Sequence, residues 1–285
     1  MEKLVVLGLG LIGGSLALDL KKRGQFKVFG FDKNPEHIKK SLELGVIDEE
    51  ISFSEIADAD VIIVSVPVNV VGKLVSKVLD IVSATTLVFD VGSVKNEICK
   101  EIANHPNRKN FVAAHPLAGT EFSGPEAAIL NLFDEKVNII CEADKADWRI
   151  LDRAISLFKM LNMHIKMMNP VEHDRHIAYV SHLSHVSSFM LGKTVLEIEK
   201  NEQAIFDMAS TGFASTVRLA KSSANTWTPI FLENKENVIK SLDEYIKNLN
   251  EFKELIENND AEALNESMNS TNYIKSILNG IKESN

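Results

Sequence analysis

The sequence predicts an α/β protein: a doubly wound parallel sheet over residues 1–168, followed by an all-α C-terminal region over residues 169–285. Three observations predict it. Short apolar runs alternate with helix-patterned stretches, as a sheet covered by helices on both faces requires. The first run leads through a glycine-rich turn into an amphipathic helix. Beyond Pro170 no strand pattern is evident, and the apolar spacing is that of long helices.

Taken in order, Leu4–Leu7 is a buried strand, followed by the turn, a helix and a second strand ending in Asp32. Asn34-Pro35 starts a helix that runs to about Leu44 and stops at Gly45. Asp58–Val68 is a near-continuous apolar strand, and a helix over 71–82 leads to the next strand, Thr86–Lys95. Further strands are expected over Phe111–Glu121, Val137–Cys141 and His164–Met168, with a helix over Asp147–Leu161 between the last two. Helices are then expected over Val171–Glu199, Thr216–Ser222, Pro229–Glu257 and Ala261–Ile281, with Asp260 as an N-cap. The joint at Asn169-Pro170 is short, so the helical part is expected to pack directly on the sheet domain. Subunits are expected to associate through these helices as a homodimer.

Gly8, Gly10 and Gly13 follow the G-x-G-x-x-G pattern between a strand and a helix, and Asp32 ends the next strand. This is the dinucleotide-binding (Rossmann) arrangement. Gly8 permits the turn, Gly10 leaves room for a pyrophosphate, and Gly13 lets the helix pack on the sheet. Leu11 and Ile12 open the helix whose free N–H groups would meet the phosphates. The Asp32 carboxylate accepts from ribose hydroxyls and repels a 2′-phosphate, which favours NAD over NADP. Lys33 beside it is the one feature that would tolerate the phosphate.

The net charge of −9 argues against nucleic-acid and anionic-membrane partners, which call for a basic face. No apolar run is long enough to span a membrane, and the first strand begins so early that no targeting peptide is expected. Cys99 and Cys141 fall in different elements without C-x-x-C spacing and read as free thiols of a cytoplasmic protein.

In doubly wound sheets, ligands bind outside the carboxyl ends of the strands. Three polar groups fall there: Ser65-Val66-Pro67, Gly92-Ser93, and His115 with Thr120 and Glu121. The proline after His115 keeps that histidine extended, at a strand end facing the nicotinamide side of a bound cofactor. It is a general base or a loop histidine capping a carbonyl. The stretch EHDRHIAYVSHLSH carries four histidines. At 100° per residue His182 and His185 share a face with Ala178 and Arg175, while His176 points away from His185. The set does not converge as metal ligands do, so no metal is expected; the pair is better suited to an anionic substrate, or to a polar contact under a helix crossing. Arg218, in a stretch of small residues, can take a carboxylate bidentately, or it is a surface ion pair. Trp227 packs at a subunit interface or in the core.

GLGLIGGSLA, DVGSVK, HPLAGTEFSGP, HDRHIAYVSHLSH and STVRLAKSSANTW, in that order, resemble the prephenate/arogenate dehydrogenase family of tyrosine biosynthesis. The resemblance covers nearly the whole chain. It implies a Rossmann domain with NAD, a helical dimerisation domain, and oxidative decarboxylation of prephenate to 4-hydroxyphenylpyruvate. It implies that His115 bonds the ring hydroxyl and helps take its proton, and that Ser93 orients that histidine and the hydroxyl. Arg218 would hold a substrate carboxylate, and His182 and His185 match a substrate-contacting segment in which Ser184 replaces the more usual proline. Fused mutase or regulatory domains of some relatives have no counterpart in this sequence, so any tyrosine inhibition is expected at the active site. Alternatives are arogenate as substrate, a β-hydroxyacid dehydrogenase with Lys193 as its lysine, and a nucleotide-sensing protein without turnover.

Overall fold

The computed structural model describes residues 1–24, 26–200 and 205–283, without the side chains of 279–283. Eight strands form one sheet: β1 (Glu2–Leu7), β2 (Phe26–Phe31), β3 (Glu49–Glu50), β4 (Val61–Val64), β5 (Leu87–Asp90), β6 (Phe111–Pro116), β7 (Val137–Cys141) and β8 (His164–Met168). Their order is β3-β2-β1-β4-β5-β6-β7-β8. All neighbours are parallel except β6 and β7, which run antiparallel with His115 opposite Ile139. The order reverses between β1 and β4, which makes a crevice at the carboxyl ends of those two strands.

The period-two alternation of a strand divides its apolar residues between the two faces. In β1, Leu4 and Val6 join one core with Leu16 and Leu20 of α1 (Leu11–Arg23) and Ile38 of α2 (Pro35–Glu43). Val5 and Leu7 join the other, with Val75 and Leu79 of α3 (Val68–Ile81) and Ile98 and Ile102 of α4 (Asn96–Ile102). Leu157 and Phe158 of α5 (Trp148–Met160) complete the first face. Burying each such side chain contributes about 1.5–3 kcal/mol. Helix starts follow their caps: the Asn34 side chain accepts from Glu36 N–H, and that of Asp147 from Arg149 N–H.

Several strands are shorter than the sequence patterns suggest. The run over Asp58–Val68 is strand only at Val61–Val64, because Val68 already begins α3 behind Pro67. The run over Thr86–Lys95 ends at Asp90, whose carboxylate accepts the Gly92 N–H and turns the chain. The run from Phe111 stops at Pro116, which has no N–H to extend a ladder. In each case the apolar composition continues past the point where pairing ends.

The helical part comprises α6 (Pro170–Ile177), α7 (Leu183–Glu199), α8 (Thr211–Thr216), α9 (Ala224–Glu233), α10 (Lys235–Glu257), α11 (Ala261–Thr271) and α12 (Ile274–Glu283). The helix expected over Val171–Glu199 is interrupted by a π-helical turn at Ala178–His182, and the expected Pro229–Glu257 helix is two, broken at Asn234. The piece expected over Thr216–Ser222 is instead the end of α8 and a 3-10 turn, Arg218–Lys221. By packing, the chain separates into two compact units, Met1–Lys235 and Glu236–Asn285. In the second, α10 exposes Ile239, Ile246, Leu249 and Ile256, an apolar stripe at intervals of seven and three, and Asp260 caps α11 through Ala263 N–H.

Candidate active site

The glycine turn lies at the crevice. Gly8 has φ +100°, and a Cβ there would fall 2.1 Å from the Ser65 carbonyl oxygen at the end of β4. A Cβ on Gly13 would fall 2.1 Å from the Gly8 carbonyl oxygen, so the helix and the turn touch backbone to backbone. At Gly10 a Cβ would meet nothing within 4 Å, and the turn is open on that side. Leu11 and Ile12 are the first residues of α1. The Asp32 carboxylate accepts N–H groups of Leu9 and Asn34, both at 2.9 Å, which ties the end of β2 to the turn; His37 Nδ1 is 3.3 Å from it. Ser65 and Val66 are half-buried and Pro67 exposed beside the turn. This open cradle at a helix N-terminus, with a carboxylate at the next strand end, fits a dinucleotide.

His115 is buried at the end of β6, two strands from β4. Its Nδ1 is 2.8 Å from Nε2 of His173 in α6, whose own Nδ1 is 2.7 Å from Asp174 Oδ1. The Asp174 carboxylate also accepts the N–H groups of Lys95 and Asn96, at 2.8 Å each. Fully buried Lys95 binds Asp90 and the Ala114 carbonyl, next to His115. Burial, then the neighbouring His173, Lys95 and His182, hold His115 well below its ordinary pKa, so it is neutral at physiological pH.

The Ser93 hydroxyl, in the turn after β5, is buried without a hydrogen-bond partner among the described residues. His115 therefore takes its orientation from His173 in this structure. His182 is also fully buried; its Nδ1 is 3.2 Å from the Asn234 amide nitrogen, and its Nε2 has no partner among the described residues. Burial lowers its pKa to about 4. His185 is half-buried, donates Nδ1–H to the Ser181 carbonyl at 3.0 Å, and stacks on Trp227 with ring centroids 3.4 Å apart. Burial lowers its pKa, the Ser181 carbonyl raises it, and Arg218 lowers it further. Trp227 also meets the His182 ring edge-on, at 5.9 Å, and packs with Val68, Val94 and Ile230. Arg175, expected on the same face, is exposed, while Ala178 and His182 are buried.

Arg218 is half-exposed, with a guanidinium nitrogen 3.5 Å from the Glu121 carboxylate. An ion pair this open to water holds the arginine weakly and leaves it able to exchange partners. Thr120 is exposed, and its hydroxyl accepts the Phe122 N–H at 3.3 Å. Lys193 pairs with Glu197 on the exposed face of α7. Among the described residues no group of three or more His, Cys, Asp or Glu is placed to hold a metal ion.

Two family models together match most of the chain. One, described as prephenate dehydrogenase, nucleotide-binding domain, matches residues 16–167; the other, prephenate dehydrogenase, dimerization domain, matches residues 169–270. The chain belongs to the prephenate dehydrogenase family. A prephenate dehydrogenase of Bacillus subtilis (strain 168) is 32% identical over 269 residues, covering 92% of this chain and 72% of that protein. Among solved structures, prephenate dehydrogenase from A. aeolicus, in complex with hydroxyphenyl propionate and NAD+, is 35% identical with a TM-score of 0.89, covering 98% of each chain. Synechocystis arogenate dehydrogenase is 28% identical with a TM-score of 0.76, covering 97% of this chain and 99% of that one.

Within this prephenate dehydrogenase fold, the structure adds two residues that sequence spacing passed over. His173 is one of four histidines whose spacing fits no metal site, and Asp174 carries no spacing signal of its own. The available signal was the adjacent His-Asp pair at the start of a helix, a placement that lets a carboxylate reach backbone N–H groups and a ring nitrogen together.

Proposed function

We propose that this member of the family catalyses NAD-dependent oxidative decarboxylation of prephenate to 4-hydroxyphenylpyruvate. The observation that carries this reading is that the glycine turn, Asp32 and His115 all open on one edge of one sheet, at the carboxyl ends of β1, β2 and β6. Gly8, Gly10, Leu11, Ile12 and Gly13 would hold the pyrophosphate, Asp32 the ribose, and Ser65, Val66 and Pro67 the adjoining wall. When bound there, NAD supplies the hydride acceptor.

His115 acts on the ring hydroxyl of the substrate. As hydride leaves the carbinol carbon, positive charge develops there, and a neutral imidazole lowers the barrier by drawing off the hydroxyl proton. Loss of the ring carboxylate as CO2 makes the ring aromatic, and the proton returns to the oxygen of the resulting phenol. Aromatisation makes the reaction irreversible. The Ser93 hydroxyl, buried with no hydrogen-bond partner among the described residues, and His182 Nε2 supply polar contacts to the bound anion. Arg218 exchanges Glu121 for a substrate carboxylate, with Thr120 and His185 beside it. Glu121 is also the acid that a side-chain amino group would meet, which makes arogenate the second substrate to test.

We propose a homodimer formed through residues 169–285, the division at 168/169 being the functional one. The dimerization-domain match and the exposed apolar stripe of α10 support it. Among the described residues no helix is long and apolar enough to cross a membrane, and both cysteines are free and buried, in keeping with a cytoplasmic enzyme. Absorbance of the reduced nicotinamide, followed with NAD or NADP against prephenate and arogenate, tests the reading. Binding of NAD with no reduction by either acid would leave a nucleotide-binding protein without this activity.

A further inference from the structure

Resting on that reading, we infer that His173 and Asp174 are positioning residues that fix the tautomer of His115. The argument is one of donors and acceptors. The Asp174 carboxylate can only accept, and it already accepts the N–H groups of Lys95 and Asn96. The nitrogen 2.7 Å from it, His173 Nδ1, must therefore carry the hydrogen. With this one hydrogen on the His173 ring, the lone pair is on Nε2, and at 2.8 Å it accepts from His115 Nδ1. His115 is left with its lone pair on Nε2, the nitrogen not engaged by His173. That is the form a general base needs.

The same chain stabilises the charge that forms. When the hydroxyl proton of the substrate passes to His115 Nε2, the O–H bond breaks, the N–H bond forms, and the ring becomes an imidazolium. Its Nδ1–H already points at His173, and the carboxylate beyond carries the compensating charge. Asp174 keeps its charge and no second proton transfer is needed. This offsets an unfavourable setting. The groups facing His115 include Lys95, whose own partner is Asp90, and His182, and the site is buried. The hydrogen bonds from Lys95 and Asn96 also anchor the start of α4, so Asp174 joins the sheet edge to the helical part at the point of chemistry.

Nitrogen-15 spectra of histidine-labelled wild-type protein test the tautomer without turnover, so they decide it even if neither acid is a substrate. His115 Nε2 is expected to be of the pyridine type and Nδ1 to carry the hydrogen; the reverse overturns the inference. In Asp174→Asn an amide turned with its nitrogen toward His173 donates to Nδ1, giving up the Lys95 N–H bond made to the same position, which reverses the chain and places hydrogen on His115 Nε2. We expect kcat to fall about 10²-fold or more near neutrality, with NAD affinity unchanged. In the same variant the nitrogen-15 spectrum should show the hydrogen on His115 Nε2, a change that a purely structural role would not produce. Unchanged kcat together with an unchanged His115 tautomer would mark Asp174 as a structural cap only. Should that variant fail to fold, His173→Gln keeps an acceptor for His115 Nδ1 but breaks the link to the carboxylate. It should lose about tenfold in kcat, and unchanged kcat would overturn the inference.

Discussion

Acidification should destabilise the fold through His182 by an amount that can be worked out from its surroundings. The ring is fully buried against Trp227 and Phe231, and burial lowers its pKa from 6.5 to about 4. An unfolded chain titrates this histidine near 6.5, so between the two values the unfolded state binds more protons than the folded one. Stability contributed by the neutral buried ring is therefore complete above about pH 6.5 and is lost progressively as pH falls toward about 4. At about pH 5 the unfolded histidine is almost wholly protonated and the folded one about one-tenth so, a difference of about 2 kcal/mol; the full gap is worth about 3 kcal/mol. Urea unfolding at about pH 7.5 and about pH 5, in the wild type and in His182→Gln, measures it. The glutamine can still accept from Asn234 but does not titrate. Other groups titrate in both proteins and drop out of the comparison. The wild type should lose about 2 kcal/mol more than the variant over this range. Equal losses would show that the ring is hydrated or charged in the folded state, and would remove it as a neutral hydrogen-bond donor beside His115.

His115→Ala should lower kcat by about 10²–10⁴ with little change in NAD affinity measured by fluorescence titration. In the wild type, kcat should stay level down through pH 7 and fall only in acid below the ordinary histidine range, because burial lowers the His115 pKa; this moves the limb below the pH 6–7 expected of an unperturbed imidazole. Arg218→Ala should cost about 2–3 kcal/mol in substrate binding, read from KM in steady-state assays, and an unchanged KM would assign the residue to its Glu121 pair. Gly13→Ala places a methyl 2.1 Å from a backbone oxygen that no rotamer change can move. It should lower stability by about 1–3 kcal/mol and weaken NAD binding in parallel, as calorimetric titration would show.

The sheet, its glycine turn and the histidine at the end of β6 were legible because each is written in neighbouring residues. Period-two burial in β1, the caps at Asn34 and Asp147, and the proline after His115 act over a few positions, where backbone sterics and side-chain reach decide the outcome. The order of five short motifs was enough to point to the family. Where strands end was less visible: Asp58–Val68 reads as near-continuously apolar, yet the strand stops at Val64 because the chain turns at Pro67 into α3. The π turn at Ala178–His182 leaves no mark in the residue spacing, which follows a regular helix.

What only the tertiary structure decided lies in contacts between distant parts of the chain. His115 and His173 are 58 positions apart, and no spacing rule joins a strand end to the first turn of a later helix. Arg218 meets Glu121, and His185 meets Trp227, for the same reason. The pKa values of His115 and His182 follow from burial and from the charges packed around them, neither of which exists in an extended chain. Sequence specified which groups are present and how each short segment folds; the assembled core set their protonation and their partners, because desolvation and long-range hydrogen bonding arise only once the segments are packed together.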